Sequence, residues 1–297
     1  PLAGFLEAQA LHHLESEPER SATRLREAAQ IRRVTLQDPA GAVSLLQRAR
    51  EATGSPEILA ELVDAMRESG DLEGAAAEVS TALEAHLAAQ GEDARDARWV
   101  QLVVLRARLQ LERNEVDQAV ADLESAYPIE PAAVAPDLVQ ALTRARFAYG
   151  EAGDAAAERT VVFRLVDVLD AAGAADQARN ALADWVTDHD DDAQALFRLR
   201  DVDIAAQNWP GVADACAALI VLLEGTDQVD AALLMADACE ASEDADRGRQ
   251  ALEYVFHVQS SATRLLERLR TLYEQTGAFR ELAGLLSHEA QSTEDTD

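Results

Sequence analysis

The chain contains no lysine: all 26 of its basic residues are arginine. That absence excludes several chemistries at once. A Gly-rich phosphate-binding loop needs its lysine on the phosphates, a Schiff-base enzyme needs a lysine amine, and a protein kinase needs its strand lysine. Aromatic residues are scarce too, 4% of 297 residues, although hydrophobic residues reach 48%. The apolar mass is therefore alanine, leucine and valine. Alanine and leucine are strong helix formers, and small side chains let helices approach closely. Only two cysteines occur, Cys216 and Cys239, each in an apolar stretch. They read as small, reduced core residues and not as a disulfide. The longest apolar run, Ala215–Leu223, falls far short of the ~20 residues that cross a bilayer. The first residues carry no secretory signal pattern, and a cytoplasmic location is expected.

Positive charge is the other shortage. With 55 acidic residues against 26 arginines the formal net charge is −29. Such a surface repels phosphate backbones and anionic membranes, so neither nucleic acid nor membrane insertion is expected.

What the chain does have is a period. Ala178, Val212, Gly248 and Leu282 recur at steps of 34, 36 and 34 residues, each a small or aliphatic residue behind a turn and near the start of a helix. Self-similarity at this spacing marks a helical-hairpin solenoid. Upstream, Ala42 and Ala75 are 33 residues apart, and Ala119 follows 44 later, the excess falling on the polar stretch Ala88–Asp96. The step from Ala119 to Ala178 is 59, neither one period nor two, and predicts an extra helix. Between them, Tyr127–Pro136 holds Pro128, Pro131 and Pro136, which should not sit inside a helix and make 127–136 the expected soft point or hinge. Residues 291–297 are polar and acidic and read as a frayed tail. No stretch alternates long enough to make a strand. The expected fold is thus all-α, an α-solenoid of about eight antiparallel helical hairpins spanning 1–297. Leu2-Ala3-Gly4-Phe5-Leu6 resembles Leu282-Ala283-Gly284-Leu285-Leu286, which places both ends at one phase of the repeat, in a second helix. Terminal repeats of a finished solenoid usually carry polar faces, so the chain reads as a piece of a longer array.

Gly70-Asp71-Leu72 with Ala75, Val79 and Ala82 is the best single repeat; Val116-Asp117-Gln118-Ala119 with Leu123, Ala126 and Pro131 is another, and Ala42, Ala49 and Pro56 take the same places. These positions resemble the tetratricopeptide repeat family. The resemblance covers nearly the whole chain in degenerate form, with Trp99 and Tyr149 off any common register. It implies a right-handed superhelix whose first helices line a concave groove for a peptide or partner protein. The function it implies is a non-catalytic interaction scaffold, with no cofactor; the alternative is the regulatory arm of a larger enzyme or signalling protein whose catalytic domain lies outside this segment.

Arg-x-Arg pairs recur along the helices. Residues two apart on a helix point about 200° apart, so one of each pair can face a groove. Arg106, Arg144, Arg198 and Arg268 are the expected partner-binding residues, suited to the carboxylates of an acidic peptide through forked hydrogen bonds. The competing reading is that these arginines pair with the chain's own acids. The acidic run Asp184, Asp188 and Asp190–Asp192 with His189 lacks the spacing of a calcium loop and is read as capping. His12-His13 is an unlikely zinc half-site because adjacent helical side chains diverge by about 100°. His86, His257 and His288 are isolated, and no nucleophile motif occurs.

Overall fold

A computed structural model describes residues 2–13, 16–91, 94–260 and 262–294. Sixteen α-helices and no strand lie among the described residues. The chain divides into two compact units, Pro1–Ala152 and Gly153–Asp297, where the sequence reads as a single array. The first unit holds α1 (Leu2–His13), α2 (Pro18–Gln30), α3 (Pro39–Thr53), α4 (Pro56–Ser69), α5 (Leu72–Gln90), α6 (Ala97–Glu112), α7 (Val116–Ala126) and α8 (Pro131–Ala152). The second holds α9 (Ala155–Ala171), α10 (Ala175–Asp188), α11 (Ala193–Ala205), α12 (Trp209–Leu222), α13 (Gly225–Ala241), α14 (Ala245–Val258), α15 (Thr263–Thr276) and α16 (Phe279–Glu294).

One turn, repeated, generates the register. Inside each hairpin the first helix ends on a residue in the left-handed conformation: Gln37, Gly70, Asn114, Gly173, Gln207, Glu243 and Gly277 all have φ between 51° and 84°. The amide after it reaches back to the end of the helix, as in Asp71 N–H to the Met66 carbonyl (2.9 Å) and Asn208 N–H to the Asp203 carbonyl (2.8 Å). This closes the carbonyls that a helix end leaves open. The residue five places past each turn is a register residue: Ala42, Ala75, Ala119, Ala178, Val212, Gly248 and Leu282. All but Leu282 are buried, because here the second helix crosses the first. At Gly248 the fit is closest; a Cβ would stand 3.0 Å from the Ala236 Cα and 3.0 Å from the Cys239 Cβ.

The register pairs α2 with α3, α4 with α5 and α6 with α7 in the first unit, and α9 with α10 through α15 with α16 in the second. Two helices stand outside it. α1 has the phase of a second helix. α8 is the extra helix demanded by the 59-residue step. Its prolines do not break it as the sequence reading expected. Pro128 lies in the turn before it, Pro131 takes its first position, where the missing N–H costs nothing, and Pro136 sits in its second turn. Pro136 and Ala132, whose carbonyl loses a partner, are both exposed, so water can take the bond. The division between the units falls after α8, not at 127–136.

Helix starts follow from side-chain caps. Asp38, Asp71, Asp96, Asp154 and Asp192 each accept a hydrogen bond from the backbone three residues on, at 2.8–3.2 Å. Between α2 and α3 the backbone makes a π-turn over Ile31–Thr35, which aims Arg32 at Asp38 (2.9 Å) and at Glu7 of α1 (3.0 Å). Of the expected frayed tail, 291–294 continue α16, and 295–297 lie outside the described residues, as do Glu92 and Asp93 of the polar stretch after α5. Each unit has its own apolar interior, with Leu25, Leu62, Leu109 and Leu138 fully buried in the first and Leu182, Leu219, Leu252 and Leu265 in the second.

Candidate functional site

In each unit the first helices of successive hairpins are laced together by guanidinium–carboxylate pairs roughly one repeat apart. In the first unit Arg26 of α2 grips Glu61 of α4, Arg67 of α4 grips Glu112 of α6, and Arg108 of α6 grips Asp137 of α8 through two bonds of 2.7 and 3.0 Å. In the second, Arg159 of α9 holds Asp192 at the start of α11 (2.6 and 2.9 Å), Arg198 of α11 holds Asp167 of α9, and Arg264 and Arg268 of α15 hold Asp230 and Asp237 of α13. Forked pairing suits arginine's planar head and fixes spacing between helices.

Ion pairs within the chain account for three of the four arginines expected to bind a partner. Arg106 closes a forked pair on Asp122 of α7, both bonds 2.7 Å. Arg198 is held by Asp167 and stacks over the Phe163 ring. Arg268 is shared by Asp237 and Glu240. Arg144 differs: it is exposed and donates to the Leu111 carbonyl at the end of α6 (2.8 Å). The four are not brought together, since two belong to each unit.

Two depressions lie on the first-helix face of the first unit. One, of about 380 Å³, is walled by Leu59 and Ala60 of α4, Val100, Leu102, Val104 and Leu105 of α6 and Ala133 of α8, with Arg98, Arg108 and Glu130 on its border. The other, of about 210 Å³, continues past Arg108 to Arg67, Gln140 and Arg144. Arg98 is exposed and has no ion-pair partner among the described residues. The sequence reading missed it because it stands outside the Arg-x-Arg pattern, in Asp96-Ala97-Arg98-Trp99. In the second unit the depression beside Arg198, about 410 Å³, is bordered by Asp170 and Asp201. Burial pushes the Asp170 carboxyl above its ordinary range.

The strongly perturbed groups all sit in structural contacts. Asp192 is pulled down to about 2, first by Arg159, then by the Trp185 indole N–H (3.0 Å) and the Ala195 amide, against the opposing effect of burial. Burial pushes the Cys216 thiol up to about 11 and raises Cys239, so both stay protonated. Both thiols are free and buried. Tyr273 is raised by burial and by its bond to Glu253 (2.8 Å). The acidic run at 188–192 resolves into caps and turns. His189 stacks on Trp185 with centroids 3.6 Å apart, and no group of metal-binding side chains forms among the described residues. No helix among those residues is long and apolar enough to cross a membrane.

No family model and no curated protein matches the chain. Solved structures that align with the chain are the TPR2AB domain of yeast Sti1 in its pHSP90 complex (15% identity, 91% of this chain and 98% of that one, TM-score 0.40), yeast Tom70 (17%, 99% and 58%, 0.39) and a tetratricopeptide repeat protein from Parabacteroides merdae (14%, 84% and 98%, 0.36). With its repeated hairpin, left-handed turn and buried register residue five places on, this chain has a tetratricopeptide-like helical repeat fold.

Proposed function

We propose that the protein is a non-catalytic interaction scaffold, and that the first-helix face of its first unit takes a peptide segment carrying an aliphatic side chain flanked by acidic ones. The observation that carries this reading is the apolar depression between α4, α6 and α8, bordered by Arg98, which makes no ion pair among the described residues, and followed by Arg144, which holds a carbonyl. An aliphatic residue buried there would gain roughly 1.5–3 kcal/mol, and carboxylates beside it would add charge-assisted bonds. Elsewhere on the laced faces the arginines already have acidic partners, so an acidic ligand would have to displace them. The non-catalytic reading is supported by the perturbed groups: the thiols are buried and protonated, Asp192 is a cap, and Tyr273 is tied to Glu253.

The test is binding to an array of short peptides varied in acidic and aliphatic content, with the wild type and an Ala60→Glu variant. Ala60 is exposed on the wall of the depression, so the change alters the site and not the core. Selective capture of acidic–aliphatic peptides, weakened by salt and lost in Ala60→Glu, is expected. Equal capture by the variant would remove the groove from consideration.

A further inference from the structure

The longest apolar run of the chain, Ala215–Leu223, fills most of α12, whose only charged residue is Asp214. A helix that is apolar all round is normally buried all round. α12 is not: Val221 is 75% and Leu222 37% exposed, and Ala217 and Ala218 are half-buried. On α14, the next second helix, Tyr254 and Val258 lie one turn apart on one face and are 53% and 63% exposed. The two helices touch, and Arg247 of α14 donates to Asp214 of α12 (2.7 Å). A polar chain also joins their ends. The Gln259 side chain donates to buried Gln228 of α13 (2.7 Å), which donates to the Ile220 carbonyl (2.8 Å). Val221 and Val258 stand beside these joined ends. The register puts the exposed residues side by side: Ala218 and Leu222 are six and ten residues past Val212, and Tyr254 and Val258 are six and ten past Gly248. Six residues past the register, the other hairpins carry Arg48, Thr81, Ser125, Asp184 and His288. Single exposed apolar residues need no explanation; a strip built by two adjacent repeats marks a contact surface. Its border is acidic. Asp184 and Asp188 hold the equivalent places on α10, Asp190 and Asp191 follow in the turn, and Glu224 comes two residues after Leu222. All five are exposed, and Asp188 and Glu224 make no ion pair among the described residues. On α14, Arg247 is held by Asp214 and Arg249 by Asp246 and Glu253, while His257 is exposed at the strip.

We infer that the strip over α12 and α14 docks one amphipathic helix of a partner protein, its apolar face on Val221, Leu222, Tyr254 and Val258 and its flanks carrying lysine or arginine toward Asp184, Asp188 and Glu224. Charge decides the occupant. A second copy would bring the same acidic border against itself, in a chain of net charge −29, and the border repels anionic membranes and nucleic acid. A basic flank is attracted by it. Two helices side by side offer a groove that a third helix fills with side chains at i, i+3, i+4 and i+7. This surface lies on the second helices of the second unit and is independent of the groove on the first. The sequence carries its signal in the run Ala215–Leu223, which reads only as too short for a membrane until its helix is seen to lie at the surface.

Fluorescence anisotropy of labelled peptides titrated with the full chain tests this. The probes are peptides of about 18 residues, long enough to form helix in isolation. One has a leucine stripe at helical spacing and lysine flanks, one the same stripe and glutamate flanks, and one the lysine peptide's composition in scrambled order. The lysine-flanked stripe should bind saturably, and the other two at least about tenfold more weakly. Val221→Lys combined with Tyr254→Lys, both at exposed positions, should weaken binding by at least about tenfold without lowering the melting temperature. Asp188→Asn combined with Glu224→Gln, which leaves the strip intact, should weaken binding several-fold and flatten its salt dependence. Ala60→Glu in the first unit should change nothing. Equal binding of the scrambled or the glutamate peptide, undiminished binding in the double lysine variant, or no saturation by the lysine-flanked peptide at millimolar concentration would overturn the assignment. A wild-type dimer in sedimentation equilibrium that the double lysine variant dissolves would give the strip to a second copy and overturn it as well.

Discussion

The two units carry the same turn and the same register, yet their charges differ. Pro1–Ala152 holds 15 arginines against 26 acids, a net of −11; Gly153–Asp297 holds 11 against 29, a net of −18. In the first unit two of the carboxylates that receive arginines across helices are deeply shaded: Asp137 is 9% and Asp122 17% exposed. In the second, apart from Asp192, Asp203 and Glu253, they stand in water: Asp230 is 55% and Asp237 65% exposed. Ion pairs weaken as water screens them, so the first unit's pairs should bear on stability and the second's mainly on surface neutralisation. The second unit, short of arginine, uses its cations on its own acids. The first unit, less acidic, leaves Arg98 without an ion pair among the described residues, and two of its depressions border that residue.

The largest test of the division concerns the cores. Leu109→Ala in the first unit and Leu219→Ala in the second each empty a fully buried site, and each should cost about 2–5 kcal/mol. If the compact units unfold separately, each variant lowers one step of a calorimetric trace and leaves the other in place. A single transition shifted equally by both would break the comparison. Next come the register positions. Ala75→Leu overpacks the α4–α5 crossing and should cost about 1–3 kcal/mol by denaturant unfolding. Gly248→Leu should cost more, because backbone of α13 already stands 3.0 Å from where its Cβ would be. Unchanged stability in Ala75→Leu would mean that the register is misassigned.

That register was legible in the chain because it is local: a left-handed turn and a small residue five places on need no knowledge of the rest of the fold. The extra helix was legible as a broken step. Its content was not, because Pro131 and Pro136 read as breakers when counted by number, whereas a first-turn proline and an exposed second-turn proline are tolerated by position. The arginines were read only halfway. Their helical faces follow from spacing, but their partners lie on other helices, within the hairpin for Arg106 and about one repeat away for Arg198 and Arg268, and which carboxylate arrives depends on how hairpins close and stack. Arg106, Arg198 and Arg268 are consumed by that stacking, while Arg98, in no repeated motif, is left over.

Asp192 is one place where the second unit resembles the first, since its side chain is only 10% exposed. Its carboxyl caps α11, accepts from Trp185 and pairs with Arg159. Asp192→Asn should cost about 1–2 kcal/mol at neutral pH. Its folded pKa, about 2, lies below the unfolded value of about 3.9, so the folded state binds the proton less tightly. The stabilisation is therefore complete above about pH 4 and is lost as the pH falls through about 2. Urea midpoints against pH should show the variant and the wild type converging in acid. A constant gap down to pH 2 would assign the effect to packing instead.

The smallest effects separate the two kinds of ion pair. Arg106→Gln removes a forked pair from a shaded site between α6 and α7, with its carboxylate left partly buried, and should cost about 1 kcal/mol. Arg264→Gln removes a pair in which both side chains are more than half exposed, and should cost about 0–0.5 kcal/mol. Raising the salt to 1 M, where the screening length falls to about 3 Å, should erase the second difference and leave most of the first. The same unit that shades Asp122 and Asp137 also keeps Arg98 free of an ion pair among the described residues. If the two variants prove equal in size and in salt dependence, shading does not distinguish the units, and the first unit's claim to the binding face rests on Arg98 and its depressions alone.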